Sequence, residues 1–166
     1  MSGLTLSPLI GKSYSSIYGQ TAPSNKVKVA LIGCRSMGYG DLNTFLDYPE
    51  TECVALCDVD DEWLNKRAAD VEKKTGKKVP HLYKDWRRVI DNKDVDVVII
   101  GTPDHWHCLP TVWACQAGKD VYVEKPLSNT IEECNLMEKA ARKYNRIVQV
   151  GQWQRSDPHW QDAMQF

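Results

Sequence analysis

Five short runs rich in valine and isoleucine alternate with longer segments of helical periodicity along this 166-residue chain, and that alternation leaves few folds open. The runs fall at residues 26–32, 53–57, 95–100, 120–123 and 147–150, bounded by Gly, Asp or Pro, and a weaker strand is expected at 79–83. Val95, Val97, Val98, Ile99 and Ile100 make a nearly continuous apolar run, as a parallel strand covered on both faces requires. Between the runs, residues 60–75 carry Trp63, Leu64, Ala68 and Val71 at helical spacing ahead of Gly76. Residues 109–117 place Leu109, Val112 and Trp113 on one helical face, and a short helix is expected over 85–91. Thr130 and Glu133 form a capping box for a helix with Ile131, Cys134, Met137, Ala141 and Tyr144 inward. Right-handed crossovers between such strands predict an α/β fold, a doubly wound parallel sheet of Rossmann-like type in three αβα layers.

The first run leads into Gly33-Cys34-Arg35-Ser36-Met37-Gly38 and then into a helical segment. A glycine turn between strand and helix brings backbone N–H groups and a helix N-terminus up to a pyrophosphate. Gly33 and Gly38 hold the first and third positions of G-x-G-x-x-G, but Arg35 stands at the second. Its side chain either lies over the phosphates as a charged donor or points outward. Asp58 follows the second run, a little beyond the ~20-residue spacing of the general pattern, where a carboxylate accepts from a ribose diol. Such a carboxylate repels a 2′-phosphate, so NAD is favoured over NADP, with Arg35 as a softening influence. The plainer alternative makes Asp58 a solvated strand end. Asp60 reads best as a helix N-cap.

Composition narrows the partners. A formal charge of −1 gives no general pull toward nucleic acid or an anionic membrane, and no stretch approaches a membrane span. The six cysteines, with 42% hydrophobic residues in a chain of this length, read mostly as small buried hydrophobes. Cys53 and Cys57 lack the paired spacing of a zinc site, and no metal is expected. His81 and His159 have no ligand-spaced partner. Trp63, Trp106 and Trp113 are expected to fill core or crossover contacts.

Two loops follow later strands: Gly101-Thr102-Pro103-Asp104-His105-Trp106-His107, and Glu124-Lys125-Pro126. Both lie at carboxyl ends, where open α/β sheets bind ligands. Lys125 there could hold a substrate hydroxyl or carbonyl and share in proton transfer, with Glu124 orienting it or touching the nicotinamide end. A surface salt bridge beside a turn proline is the bland alternative.

With Ala117-Gly118-Lys119-Asp120-Val-Tyr-Val-Glu124-Lys125-Pro126 as the most specific string, the chain resembles the amino-terminal domain of the glucose–fructose oxidoreductase and inositol dehydrogenase family, Gfo/Idh/MocA. The resemblance covers roughly residues 26 to 155. It implies a nicotinamide enzyme acting on a secondary alcohol of a sugar, cyclitol or related polyol. By position it assigns Gly33, Ser36, Met37 and Gly38 to the pyrophosphate and Asp58 to the adenosine ribose. Thr102, Pro103 and His107 go to the middle and nicotinamide end, Glu124 to the cofactor side, and Lys125 to the reacting carbinol as catalytic residue. It also implies two alternatives, a glycoside-cleaving relative that oxidises and then re-reduces its sugar, and a non-catalytic nucleotide-binding or assembly module.

The expected organisation is a flexible tail at 1–25, a dinucleotide-binding domain at 26–151, and a linker or helix from 152–166 toward a substrate domain. Separated from that domain, the chain is expected to bind NAD but to turn over sugars poorly, and its uncovered surface invites self-association. The default compartment is the cytoplasm, with the periplasm as the alternative had an upstream export signal been removed.

Overall fold

In the computed structural model, residues 26–165 are described; the tail expected at 1–25 and the terminal Phe166 lie outside them. Strands and helices alternate as β1 (Val27–Ile32), α1 (Ser36–Phe45), β2 (Thr51–Cys57), α2 (Asp61–Thr75), β3 (His81–Tyr83) and α3 (Arg87–Asp91). They continue as β4 (Val97–Ile100), α4 (Cys108–Gln116), β5 (Asp120–Glu124), α5 (Ile131–Tyr144), β6 (Val148–Gly151) and α6 (Pro158–Ala163). Short 3-10 turns occupy Asp104–Trp106 and Trp153–Ser156. All six strands are parallel, in the order β3-β2-β1-β4-β5-β6. Strand order therefore reverses between β1 and β4, which opens a crevice at their carboxyl ends.

Alternation along each strand divides the core into two layers. Ala30, Ile32, Val98, Ile100, Val121 and Val123 pack with Ala114 and Cys115 of α4 and Met137 and Ala140 of α5. Val29, Leu31, Leu56 and Ile99 pack on the other face with Leu42 of α1 and Leu64 and Val71 of α2. This is the expected doubly wound αβα arrangement.

Local signals set the helix ends. The Asp60 side chain accepts the Glu62 N–H at 3.0 Å, which makes it the N-cap of α2, and Gly76 closes that helix at φ +73°, where a side chain would be strained. Thr130 Oγ1 accepts the Glu133 N–H at 3.2 Å, but Glu133 accepts from Asn129 N at 3.1 Å, one residue earlier than in the usual box. All six cysteines are free and five are buried, with burial raising the Cys53 and Cys57 thiols to about 12. They behave as apolar filler.

Three packing expectations are corrected. The buried residues of α4 are Cys108, Pro110, Thr111, Ala114 and Cys115, whereas Leu109 and Trp113 are exposed and Val112 is half-buried. Small residues let α4 approach the sheet and α5, and the large ones are displaced to its flank, where Trp113 meets Trp86 edge-on at 5.2 Å. Ile131, in the first turn of α5, is 76% exposed, and Met137 and Ala140 are the buried residues of that helix. Trp106 is likewise exposed, and Trp63 is half-buried beneath the cations of Arg35, Lys66 and Arg67.

Leu31 is fully buried in the central strand β1. Leu31→Ala is expected to lower unfolding stability by about 2–5 kcal/mol, measured by chemical denaturation, because the surrounding layer cannot close over the lost volume.

Candidate functional site

The site is built on a crossing of three backbone segments at the carboxyl ends of β1 and β4. Gly33 N–H donates to Cys57 O and Gly101 N–H donates to Ile32 O, each at 2.9 Å, so the parallel ladder runs one residue past both strands. The chain then leaves the sheet at Gly33 with φ +90°. A Cβ on Gly33 would lie 2.7 Å from the Gly101 carbonyl carbon, one on Gly38 2.3 Å from Gly33 O, and one on Gly101 2.3 Å from Gly38 Cα. Glycine at all three positions lets the start of α1 sit directly on the strand ends. Gly38 thus works by close packing.

The turn presents unpaired donors outward. Arg35 is the N-cap of α1 but its side chain caps none of the opening N–H groups, and Ser36, at φ +33°, and Met37 are both exposed. The Arg35 guanidinium is drawn sideways to the Asp60 carboxylate and lies 5.4 Å from the centre of the Trp63 ring. That hydrogen bond, with the charge of Arg35, holds the Asp60 carboxyl below its ordinary range. With its guanidinium held by Asp60, Arg35 lines the groove beside Gly33 and Asp58.

Asp58, at the end of β2, is half-buried and ties the turn to the next strand. Its Oδ2 accepts the Cys34 N–H at 2.7 Å and its Oδ1 the Asp60 N–H at 2.9 Å. Each carboxylate oxygen accepts more than one hydrogen bond, so acceptor capacity remains for a diol. From the opposite side, Arg67 of α2 donates its Nε–H to Cys34 O at 3.2 Å. Its guanidinium is held by Asp70 at 2.7 Å and lies 4.0 Å from the centre of the Tyr39 ring.

Gly33, Arg35, Asp58, Thr102 and Pro103 line one groove of about 700 Å³. Its far wall comes from Lys84, Asp85 and Trp86 before α3, together with Trp106. His107 does not reach this groove. It is 1% exposed, and its Nδ1 and Nε2 each lie 2.8 Å from a carbonyl oxygen, of Pro126 and Thr102 respectively. It bridges the two loops.

Glu124 is 4% exposed and its Oε2 accepts the backbone N–H of Lys125 at 3.1 Å, so it holds the lysine's peptide and not its ammonium group. Lys125 is exposed, and its ammonium makes no ion pair among the described residues. The salt-bridge alternative for it is therefore not what the structure has. The Lys125–Pro126 peptide is cis. Among the described residues no three His, Cys, Asp or Glu side chains are grouped to hold a metal ion, and no helix is long and apolar enough to cross a membrane.

Sequence reasoning placed Gly101 at the head of its loop but missed its packing against Gly33 and Gly38, and missed Arg67 and the wall before α3. A glycine directly after an apolar strand was a usable signal for Gly101. Arg67 gave none, because its role depends on a contact across the fold.

A glycine crossing, a strand-end carboxylate and a groove at the reversal of strand order together define a dinucleotide-binding α/β domain. Residues 27–152 match the Gfo/Idh/MocA oxidoreductase family, NAD-binding Rossmann fold, and the chain belongs to that family. It is 31% identical over 149 residues to the glycosyl hydrolase family 109 protein 1 of Shewanella sp. strain ANA-3, covering 86% of this chain and 32% of that one. The chain thus spans about a third of the length of the curated relatives it matches. Its fold resembles scyllo-inositol dehydrogenase from Lactobacillus casei with bound NAD(H) and scyllo-inositol, with a TM-score of 0.75 at 22% identity over 84% of this chain and 40% of the other. Myo-inositol 2-dehydrogenase from Lactobacillus plantarum gives a TM-score of 0.72 at 26% identity over 83% and 40%.

Gly101→Ala is expected to force the crossing apart and cost about 3 kcal/mol or more, seen as a large fall in Tm. Gly40→Ala, at a position with nothing within 4 Å of the added carbon, should leave Tm unchanged or slightly raised.

Proposed function

We propose that this chain supplies the cofactor half of an enzyme that moves a hydride between NAD and a secondary alcohol of a sugar, cyclitol or related polyol. The observation that carries the reading is the convergence of the uncapped turn, the Asp58 carboxylate and the Thr102–Pro103 loop on one groove, with exposed Lys125 at a nearby strand end. These residues fit a dinucleotide: the glycine crossing keeps side chains out of the turn, and Asp58 keeps free acceptor capacity at the groove. When bound, the nicotinamide supplies a hydride acceptor or donor.

The chain's own residues then have distinct tasks. The amides opening α1 hold a pyrophosphate by unpaired N–H groups and the helix dipole. Asp58 accepts from the adenosine ribose and disfavours a 2′-phosphate, and the Arg35–Asp60 pair offsets part of the positive charge beside it. Lys125 is the group we assign to the substrate: its ammonium holds the carbinol oxygen and takes part in moving its proton. Residues from 152 onward begin the connection to a substrate-binding domain, which the greater length of the relatives supports. Reacting geometry needs both parts.

The similarity to a family 109 glycosyl hydrolase favours a second reading with the same residues, in which oxidation of the sugar permits cleavage of its glycosidic bond and is then reversed. Net reduction of NAD with free polyols supports the first reading; cleavage of a glycoside with no net change in NAD supports the second.

Calorimetric titration of the chain with NAD and NADP tests the cofactor assignment. Binding of NAD in preference to NADP is expected, and Asp58→Ala should weaken it about tenfold or more through loss of charge-assisted hydrogen bonds. No heat with NAD at millimolar concentration would sink the assignment.

A further inference from the structure

The far wall of the groove has a chemistry of its own. Asp58 N–H donates to Tyr83 O at 3.2 Å, so the chain leaves β3 directly beside the strand-end carboxylate. The next residues, Lys84, Asp85 and Trp86, line the groove, and Pro110 and Trp106 add apolar surface to it. A nucleotide that runs from the turn after β1 to Asp58 after β2 meets the exit of β3 next, because the strands lie in the order β3-β2-β1.

Two groups on this wall suit a planar, polar-edged ligand. The Trp86 indole meets Trp113 edge-on at 5.2 Å and has the Arg87 guanidinium 5.0 Å from its ring centre, so its neighbours fix it in place. An aromatic ring that lines a groove is a stacking surface for a base. The second group is an acceptor. Lys84 is taken up by Asp61 at 2.8 Å, and Arg87 Nη1 by Asp85 Oδ1 at 3.0 Å. Asp85 Oδ1 also accepts the Arg87 backbone N–H at 3.0 Å, and that bond holds the carboxyl below its ordinary range. Its Oδ2 accepts no hydrogen bond among the described residues, and the side chain is exposed at the groove.

A charged acceptor beside a stacking surface separates one purine from another. Adenine carries an exocyclic amino group, a donor, where the 6-oxo purines carry an oxygen that only accepts. A carboxylate binds the first strongly and repels the second.

We propose that the exit of β3 is the base-recognition end of the groove: Trp86 stacks on the purine and Asp85 Oδ2 accepts the adenine amino group. Asp85 is then the residue that selects adenine over a 6-oxo purine. This rests on the cofactor reading above and adds to it the residues that recognise the base. Asp58 and the opening of α1 hold sugar and phosphates alike in every nucleotide, so discrimination between bases falls to this wall.

Calorimetric titration of the 166-residue chain with NAD, and with the dinucleotide that carries hypoxanthine in place of adenine, tests the assignment. The analogue should bind about tenfold or more weakly, since its oxygen meets the carboxylate. In Asp85→Asn the side-chain oxygen can still accept the Arg87 N–H, and the amide can donate to a 6-oxo group, so the two affinities should come within about threefold of one another. Equal affinities in the unmodified chain overturn the proposal. So does an Asp85→Asn chain in which both dinucleotides weaken alike, the mark of a purely structural aspartate. Should neither dinucleotide bind at millimolar concentration, the cofactor reading fails, and titration with the 5′-monophosphates of adenosine and inosine decides the base site separately. Preference for the adenosine nucleotide, lost in Asp85→Asn, supports it; binding of neither, or of both equally, overturns it.

Discussion

The approach of Gly33, Gly38 and Gly101 is the constraint on which the rest of the structure depends. Each lies where one added carbon would strike backbone of another. Backbone atoms cannot turn aside as a side chain can, so the spacing of β1, β4 and α1 at this point is set by contact. From that spacing come the height of α1 over the sheet and the width of the crevice beside it. The helix dipole reaches the groove only because α1 starts on the strand ends.

Around the crossing, side chains act chiefly on backbone. Asp58 takes an N–H of the turn, Arg67 donates to a carbonyl of the same residue, and Glu124 takes the N–H of Lys125. Charged groups that accept or donate to peptide groups fix loop shape more tightly than surface ion pairs do. The groove is therefore shaped before any ligand arrives.

Much of the fold was legible because its signals are local. The apolar runs, the Asp60 cap, the Gly76 stop and the Thr130 cap all depend on near neighbours in the chain, and strand alternation then fixes the layers. The face of α4 was not legible, because almost every residue from Cys108 to Cys115 is apolar or small and periodicity cannot choose among them. Packing distance decides instead, and it favours Ala114 over Trp113. At the site, the loops were placed at the correct edge from strand order, but the burial of His107 between them was not readable. A buried histidine and an exposed one look alike in sequence. What separates them is whether carbonyl oxygens from two distant loops converge on the ring.

That convergence gives the domain a fixed gauge. Because the His107 ring spans from Thr102 to Pro126, the loop lining the groove and the loop carrying Lys125 keep one separation. The ring is sealed from water, so neither ionic strength nor a passing solute alters that length. Whatever meets the open side of the sheet edge therefore meets two loops already fixed relative to one another, and the span from groove to lysine is a property of this domain alone.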